Sequence, residues 1–308
     1  MTAFAERAER LSRIVHELDL ALDYPLLKSV RLSGAQLAKL RNAVNLYLYV
    51  TLDSFYRDQT FNLGDELLSS APNFIRDLPN ITPNGLILAK KPNYLAYNMV
   101  HATVADIFAD LGFPAHVASV HAPINLRLVD GRADRRIDGR PRASAKWHSD
   151  MWAGEPAAAV MCFLPVFGVP GQLGVRWIEP KAFPEDLARP LADFRLGSHI
   201  IEGGREYEVP FDPGVIILSD PFLVHATQRD ADSLRLSIDF RFISRYRVHS
   251  DAVAPGTRSE NYLPYADWAD IGRGHVLTTD APLTAYTGQD DAPTNEYAAP
   301  FSIRRLDD

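Results

Sequence analysis

The chain has 308 residues, of which 46% are hydrophobic and 23% charged, and its formal net charge is −7. This mixture can bury a core, and because basic residues do not dominate, we expect no nucleic-acid partner. We also expect no membrane association and a cytoplasmic location, because apolar runs are shorter than the about eighteen residues of a membrane helix, the N-terminus lacks a signal peptide's apolar core, and the single cysteine, Cys162, fits a reducing compartment.

The N-terminal third of the chain predicts amphipathic helices. In the first of them, apolar residues recur every three or four positions from Phe4 to Leu22. A second helix is predicted to begin at Ser33, because Gln36 can complete a capping box with it. Its buried face is predicted to consist of Leu37, Leu40, Val44, Leu48, Leu52 and Phe55.

A third helix is the clearest in the sequence. Asn93 is placed to cap its start, and Gly112 is predicted to end it in a left-handed conformation, with Pro114 beyond. His101 falls on this helix and is interpreted as a structural residue. The stripe that faces the core is predicted to be Leu95, Met99, Val100, Val104, Ile107, Phe108 and Leu111.

From residue 120 onward the apolar pattern changes from a helical to an extended period. Leu126 and Leu128 alternate with Asn125 and Arg127, which predicts a half-buried strand. Its polar face either lines a pocket or is solvated, because one strand alone does not show which side lies inside. A charged loop at 130–142 is predicted to be solvated, with a flap over bound substrate as the alternative.

Further extended segments follow in quick succession, separated by turn residues. In the last of them, Leu236, Ile238 and Phe240 alternate with polar residues, so that one face can pack while the other carries chemistry. Several short strands with turns between them are typical of an all-β sandwich or barrel. These strands are predicted at residues 158–166, 171–178, 206–209, 215–218 and 234–242.

One short motif is the best candidate for a metal site. His148 and Asp150 lie two apart on an extended segment, so their side chains point to the same face. His225, which closes a predicted strand and turn, is the best third ligand. Two imidazoles and one carboxylate, with the opposite positions open, are the ligand set of non-haem Fe(II) oxygenases, although these residue types also suit Mn(II) or Zn(II). The other histidines lack partners at ligand spacing, and His121 is the least secure exclusion.

A second motif follows ten residues after the last histidine of the site. Arg235 and Ser237 share one face of a predicted strand, where a guanidinium and a hydroxyl can grip a carboxylate. The alternative is that Arg235 makes an ordinary salt bridge. Arg241, on the same strand, is expected to lie outside the site. Further candidate polar groups of a pocket are Asn125, Arg127, Lys146 and Arg176.

Together these motifs resemble those of the Fe(II)- and 2-oxoglutarate-dependent dioxygenases, which carry His-x-Asp, a distal His and an Arg-x-Ser or Arg-x-Thr pair. The nearest branch is phytanoyl-CoA hydroxylase-like, with members from aminoglycoside antibiotic pathways. The resemblance covers roughly residues 120 to 245. It implies that His148, Asp150 and His225 hold Fe(II), and that Arg235 and Ser237 bind the 2-oxoglutarate cosubstrate.

The resemblance also implies the fold, which is mainly β with flanking helices and has a double-stranded β-helix, or jelly-roll, as its core. We expect a single domain over 1–308, with a mostly helical part at 1–115, the jelly-roll core at 120–245 and an irregular C-terminal wrap at 249–308. The aromatic residues of the wrap that are predicted to pack on the barrel, with a place in the substrate wall as a further role, are Tyr262, Tyr265 and Trp268.

The activity implied by the resemblance consumes O2 and 2-oxoglutarate, releases succinate and CO2, and hydroxylates a small-molecule substrate such as a secondary metabolite. Asp150 argues against halogenation, since related halogenases carry a small residue at that position. Desaturation, epimerisation and ring closure use the same oxidant and stay open, as does the oligomeric state. The alternatives are a jelly-roll metal enzyme without 2-oxoglutarate, such as an isomerase or a dioxygenase, and a non-catalytic ligand-binding jelly roll.

Overall fold

The computed structural model describes residues 3–21, 23–132, 135–229, 232–251, 256–257, 261–283 and 301–306. The helices of these ranges are α1 Ala3–Glu17, α2 Gly34–Phe55, α3 Leu67–Ser70, α4 Pro72–Arg76, α5 Tyr94–Asp110, α6 Arg135–Gly139 and α7 Tyr265–Ala269. The strands are β1 Leu27–Arg31, β2 Val117–His121, β3 Asn125–Asp130, β4 Ala159–Phe167, β5 Val175–Glu179, β6 Arg205–Tyr207, β7 Val215–Ser219, β8 Val224–Thr227, β9 Leu234–Ser244, β10 Tyr262–Pro264, β11 His275–Thr278 and β12 Ser302–Arg305.

Two antiparallel sheets form the core. The major sheet has the order β1-β7-β4-β9-β2-β10, with β3 also paired to β9, and the minor sheet has the order β6-β5-β8. Strands that follow one another in the chain are thus distributed between two sheets, as in a jelly roll. The predicted fold class, a double-stranded β-helix flanked by helices, is confirmed. The sequence prediction lacks β1, which adds an edge strand to the major sheet by pairing with β7.

The major sheet has one apolar and one polar face. On β9, Leu236, Ile238 and Phe240 are buried in the cluster that includes the helices α2 and α5. Because side chains alternate along a strand, the intervening polar side chains point to the opposite face, toward the minor sheet. That polar face carries Arg235, Ser237, Asp239 and Arg241. The predicted site residues of β9 therefore lie between the two sheets, and the helices cover the outer side of the major sheet.

The predicted start of α2 and end of α5 are confirmed, whereas Asn93 stands at the N-cap of α5 without a side-chain cap hydrogen bond. Ser33 and Gln36 make the predicted capping box of α2, and Gly112 ends the α5 region at φ 84°, in the left-handed conformation. The predicted stripe of α5 is wrong at Leu95 and Met99, which are 63% and 53% exposed. Apolar residues surround most of this helix, so periodicity alone selects the wrong edge. The buried residues include Tyr97, Val100, Val104, Ile107 and Phe108.

Buried ion pairs fix α1 to the core. Arg7 Nε lies 2.7 Å from one carboxylate oxygen of Asp220, and Arg10 Nη2 lies 2.6 Å from the other. Arg10 Nη1 also lies 2.8 Å from Asp251. Asp220 directly follows β7 and opens the turn that leads to β8. The N-terminal helix is therefore fastened to the turn that precedes His225.

The described parts of the C-terminal segment, residues 261–283 and 301–306, include regular elements. Tyr262 opens β10, which pairs with β2, and β11 pairs with β12. Trp268 on α7 is fully buried and stacks near Phe240, with 5.9 Å between the ring centroids. In the 130–142 loop, residues 133 and 134 lie outside the described residues, and α6 occupies the part that follows them. Within the described ranges, no helix is long and apolar enough to cross a membrane.

Candidate metal centre

The backbones of the two histidines predicted to be ligands form an antiparallel bridge. His148 N donates to His225 O at 2.9 Å, and His225 N donates to His148 O at 2.8 Å. Two residues that exchange both hydrogen bonds lie directly opposite each other, so their side chains project from the same face. The two imidazole centroids are 4.3 Å apart. Residues 77 positions apart in the sequence (225 − 148) are thus locked together by their main chains.

Asp150 is brought to the same point by a tight turn. Ser149 is extended, at φ −95° and ψ 146°, and it caps the short 3-10 helix Asp150–Ala153 by accepting a hydrogen bond from Met151 N. Its hydroxyl also donates to Pro221 O at 2.6 Å. The extended residue keeps His148 and Asp150 on one face, and the hydroxyl ties the motif to the turn before β8.

The three side chains form a compact buried cluster. One ligand atom from each of His148, Asp150 and His225 lies within 4.8 Å of the other two. His225 Nε2 and Asp150 Oδ2 are 3.9 Å apart. Among the described residues, the buried Oδ2 of Asp150 has no hydrogen-bond partner. A buried carboxylate oxygen is costly unless it is paired or coordinates a metal, so this donor set fits a divalent cation.

The protonation states also suit a metal. His148 Nδ1 lies 2.8 Å from Lys146 O, so it donates there and leaves Nε2 as the ligand atom. Burial lowers the pKa of both His148 and His225 to about 3, and the neutral imidazoles are therefore available as ligands. Burial raises the pKa of Asp150, while Arg241 opposes that shift.

Aromatic rings hold both imidazoles in place. Phe194 stacks on His148 with 4.7 Å between centroids and 4° between planes. Trp177 lies 5.0 Å from His225, and Phe163 contacts the same imidazole edge-on at 5.5 Å. These contacts restrict ring rotation and keep water from the outer faces of the ligands.

Arg235 is a buried cation with incomplete compensation. It is 3% exposed, its Nη1 donates to Gly174 O at 3.3 Å, and its guanidinium carbon lies 4.4 Å from the Phe211 ring centroid. Its Nε has no hydrogen-bond partner within the described part of the chain. Burial lowers the pKa of Arg235 to about 9, so it stays charged at neutral pH. Ser237, on the same face of β9, donates to Asp239 at 3.2 Å.

The polar face of β3 could line a pocket or be solvated, and in the structure it lines a cavity. Asn125 and Arg127 border a cavity of about 150 Å3 that reaches His148 and Asp150. In the register of β3 and β9, Arg127 lies opposite Ser237. Arg127 Nε donates to Asp239, and its Nη1 donates to Asn84 O at 2.6 Å. The guanidinium of Arg127 therefore lies among the polar side chains between the two sheets.

Two of the predicted pocket cations point elsewhere. Lys146 Nζ donates to the backbone carbonyls of Gly139, at 3.3 Å, and Arg140. The Arg176 side chain is 54% exposed and lies 2.9 Å from Glu206. Lys146 lies in a bend two residues before His148, and its long side chain reaches the 139–141 backbone, whose carbonyls attract the ammonium.

Sequence reasoning missed the charged residues around Asp150. Arg241 was expected outside the site, but its Nη2 lies 3.7 Å from Asp150 Oδ1. Its Nε lies 3.5 Å from Glu155, which also accepts a hydrogen bond from Tyr262. The alternation along β9 places Arg241 on the face of Arg235 and could have identified it. Glu155 and Tyr262 carry no sequence signal, because only tertiary structure brings them together.

Another part of the cavity wall comes from the N-terminal half of the chain, and residues near the C-terminus also line the cavity: Asn261, Leu277, Thr279 and Phe301. Asn84 Oδ1 accepts from Arg140 Nη2 at 2.8 Å and from Ser144 N at 3.3 Å. Gly85 has φ 84°, and a Cβ there would be 2.0 Å from Leu128 O, so only glycine fits this approach to β3. The apolar residues after it that line the cavity are Leu86, Ile87, Leu88 and Ala89.

Two further histidines, His121 and His101, lie outside the three-residue cluster. His121 borders the cavity, and its Nδ1 lies 3.2 Å from Pro123 O, but it is not part of the three-residue cluster. His101 is buried on α5 with Nε2 2.9 Å from Trp268 O, and burial lowers its pKa to about 4. The structural interpretation of His101 is confirmed.

No family model matches the sequence, and no curated protein matches it significantly. Among solved structures, the chain is similar to AviO1 from Streptomyces viridochromogenes Tue57, with 15% identity, a TM-score of 0.44, and 82% of this chain and 100% of that chain covered. It is similar to SnoK, a non-haem α-ketoglutarate-dependent carbocyclase from nogalamycin biosynthesis, with 13% identity, a TM-score of 0.42 and 84% and 97% coverage. For EctD from S. alaskensis with bound Fe, the values are 14%, 0.39, 74% and 74%.

Proposed function

We propose that the protein is a non-haem Fe(II)- and 2-oxoglutarate-dependent oxygenase that hydroxylates a small-molecule substrate. The observation that carries the proposal is the buried cluster of His148, Asp150 and His225, whose carboxylate has one oxygen without a protein partner among the described residues. Two imidazoles and one carboxylate on one side of a metal, with the other positions open, are the ligand set of this class.

The cosubstrate part of the proposal rests on Arg235. A buried guanidinium with an unpartnered Nε needs an anion, and a carboxylate can take two parallel hydrogen bonds from it. Arg235 and Ser237 lie on the face of β9 that points between the two sheets. The three proposed metal ligands also lie between the sheets. We infer that they bind the distal carboxylate of 2-oxoglutarate while its keto-acid end reaches the metal. Bound Fe(II) and 2-oxoglutarate would supply O2 activation, with succinate and CO2 as the coproducts.

The cavity next to His148 and Asp150 is the proposed substrate site. It combines an apolar wall at residues 86–89 with polar groups such as Asn125 and Ser144. Phe194 covers the outer face of His148 and borders the same cavity. The protein's contribution is to hold both organic molecules against the metal and to exclude water. This lining suits a small organic molecule with hydroxyl or amino groups.

The test is coupled turnover of the cosubstrate. Purified protein is incubated with Fe(II), ascorbate, O2 and 1-14C-labelled 2-oxoglutarate, and 14CO2 and succinate are quantified with and without a panel of cationic, amino-sugar and other secondary metabolites. We expect slow release without substrate and stimulated release with the correct one. His225→Ala is the negative control and should show neither succinate and CO2 release nor Fe(II) binding.

The outcomes separate the proposed function from its alternatives. Fe(II) that binds through His225 but supports no succinate release with any substrate would favour a jelly-roll metal enzyme that does not use 2-oxoglutarate. An equal Fe(II) content in the wild type and in His225→Ala would remove the metal centre from the proposal and would favour a non-catalytic ligand-binding protein.

A further inference from the structure

Arg241 lies between two carboxylates beside the proposed metal centre. Its Nη2 is 3.7 Å from Oδ1 of Asp150, and its Nε is 3.5 Å from Oε1 of Glu155. The other oxygen of Glu155 accepts a hydrogen bond of 2.9 Å from the Tyr262 hydroxyl. A line of side chains, Tyr262–Glu155–Arg241–Asp150, therefore leads from β10 to the metal ligand, and we call it the Asp150 support chain.

The two oxygens of Asp150 have different surroundings. Oδ1 faces the guanidinium of Arg241, whereas Oδ2 lies 3.9 Å from His225 Nε2 and has no hydrogen-bond partner in the described ranges. An unrestrained carboxylate can bind a metal through one oxygen or through both. A guanidinium that attracts Oδ1 favours a ligand that offers Oδ2 alone.

Burial makes the charges of the chain depend on one another. Asp150 and Glu155 are 6% and 5% exposed, and the Arg241 side chain is 11% exposed. Burial by itself lowers the pKa of Arg241, but Glu155 and Asp150 together raise it above its usual value, so the guanidinium stays charged. An uncompensated guanidinium would repel a divalent cation at Asp150. Glu155 neutralises it, so the arginine can orient the ligand without adding net charge.

We propose that Arg241 and Glu155 are positioning residues of the metal centre. Arg241 holds Oδ1 of Asp150, so that Oδ2 alone serves the metal and the remaining coordination positions stay open. Glu155 holds Arg241 and cancels its charge, and Tyr262 holds Glu155. The inference rests on the metal centre of the proposed function, but it does not depend on 2-oxoglutarate or on the substrate.

The test uses Mn(II) as the probe, because its free and bound forms are distinguished by electron paramagnetic resonance. Arg241→Gln combined with Glu155→Gln keeps the net charge and removes the ion pair. We expect its Mn(II) affinity to fall about 10- to 100-fold, with a changed spectrum of the bound ion. The control is Lys39→Gln combined with Asp106→Asn, which removes an ion pair of 2.7 Å between α2 and α5 and the neighbouring pair of Asp106 with Arg273, both of which are partly exposed surface pairs. Its affinity and spectrum should equal those of the wild type.

Single variants test the separate links of the chain. Glu155→Gln alone leaves the Arg241 charge uncompensated, so Mn(II) affinity should fall at least as far as in the double variant. Tyr262→Phe removes one hydroxyl and should lower affinity several-fold. Arg241→Lys keeps the charge but not the planar fork, so it should lie between the wild type and the double variant.

The outcomes distinguish a failure of the metal centre from a failure of the Asp150 support chain. A wild type that binds no Mn(II) overturns both the metal centre and the support chain. If the wild type binds Mn(II), His225→Ala does not, and the double variant keeps wild-type affinity and spectrum, the support chain alone is overturned. Circular dichroism and thermal unfolding establish that each variant is folded. If the double variant does not fold, Tyr262→Phe decides, and wild-type affinity in that variant overturns the proposal.

Discussion

The hydroxyl of Ser149 donates a hydrogen bond of 2.6 Å to the carbonyl oxygen of Pro221, and Ser149 is fully buried. This bond joins the segment that carries His148 and Asp150 to the turn that precedes His225. The same serine caps the short helix that begins at Asp150. The middle residue of the His-x-Asp motif is therefore a structural link between the two proposed ligands of this motif and His225.

Ser149→Ala should destabilise the protein by about 1–3 kcal/mol, because it leaves a buried carbonyl without its donor. Urea unfolding of the metal-free protein measures this change. Ser198→Ala is the matched control, since Ser198 also donates to a carbonyl oxygen, that of Arg195, but on the surface. A loss for Ser149→Ala no larger than for Ser198→Ala would show that the buried bond contributes nothing.

Arg235→Leu should raise the 2-oxoglutarate concentration needed for half-maximal turnover by roughly 10- to 100-fold, because a charge-assisted hydrogen bond contributes about 1.5–3 kcal/mol. Mn(II) affinity should not change, since Arg235 is not among the three clustered ligands. Steady-state succinate release and metal titration measure the two quantities. An unchanged cosubstrate requirement would contradict the proposal that Arg235 binds the distal carboxylate of 2-oxoglutarate.

Metal removal should lower thermal stability. A ligand that binds only the folded state at 100 times its Kd stabilises it by about 2.7 kcal/mol. For a protein of this size we therefore expect excess Mn(II) to raise Tm by about 5 °C over the chelated protein. His148→Ala should lose this rise, because one of the three clustered ligands is missing. An equal rise in both proteins would place the stabilising ion at another site.

Arg7→Met should destabilise the protein by about 3 kcal/mol, because it removes one partner of a buried charge. Arg7 is fully buried, its Nε lies 2.7 Å from Asp220, and its guanidinium lies 4.0 Å from the Phe222 ring centroid. Denaturant unfolding measures the loss. The control is Arg13→Gln on the same helix, whose pair with Glu17 is exposed to solvent, so the loss of stability should be much smaller than for Arg7→Met.

The sequence was most informative where local chemistry decides the structure. The Ser33–Gln36 capping box and the left-handed Gly112 depend on neighbouring residues, and both were predicted correctly. It was less informative where an element is apolar on several sides. Leu95 and Met99 match a helical stripe as well as Val100 does, and only the position of the sheet shows which edge is buried.

The cluster of the three proposed ligands could be inferred from spacing, whereas its surroundings could not. His148, Asp150 and His225 meet as the motif implied. Glu155 and Tyr262 meet across 107 positions, and nothing in either residue's sequence context indicates the other. Lys146 is two residues from His148 in the sequence, but it lies in a bend and its side chain donates to backbone carbonyls. Partners supplied by distant segments require the fold to be known first.

The polar face of β9 has a consequence for how this protein could diverge. Arg235 and Arg241 are six positions apart, and the even spacing keeps both on the cavity side. Inserting a single residue between them would turn one arginine into the apolar layer and a leucine or phenylalanine toward the proposed metal centre. Under the proposed function, a change of substrate is therefore expected to alter cavity-lining positions such as 86–89 and Phe194, while the length of β9 stays constant.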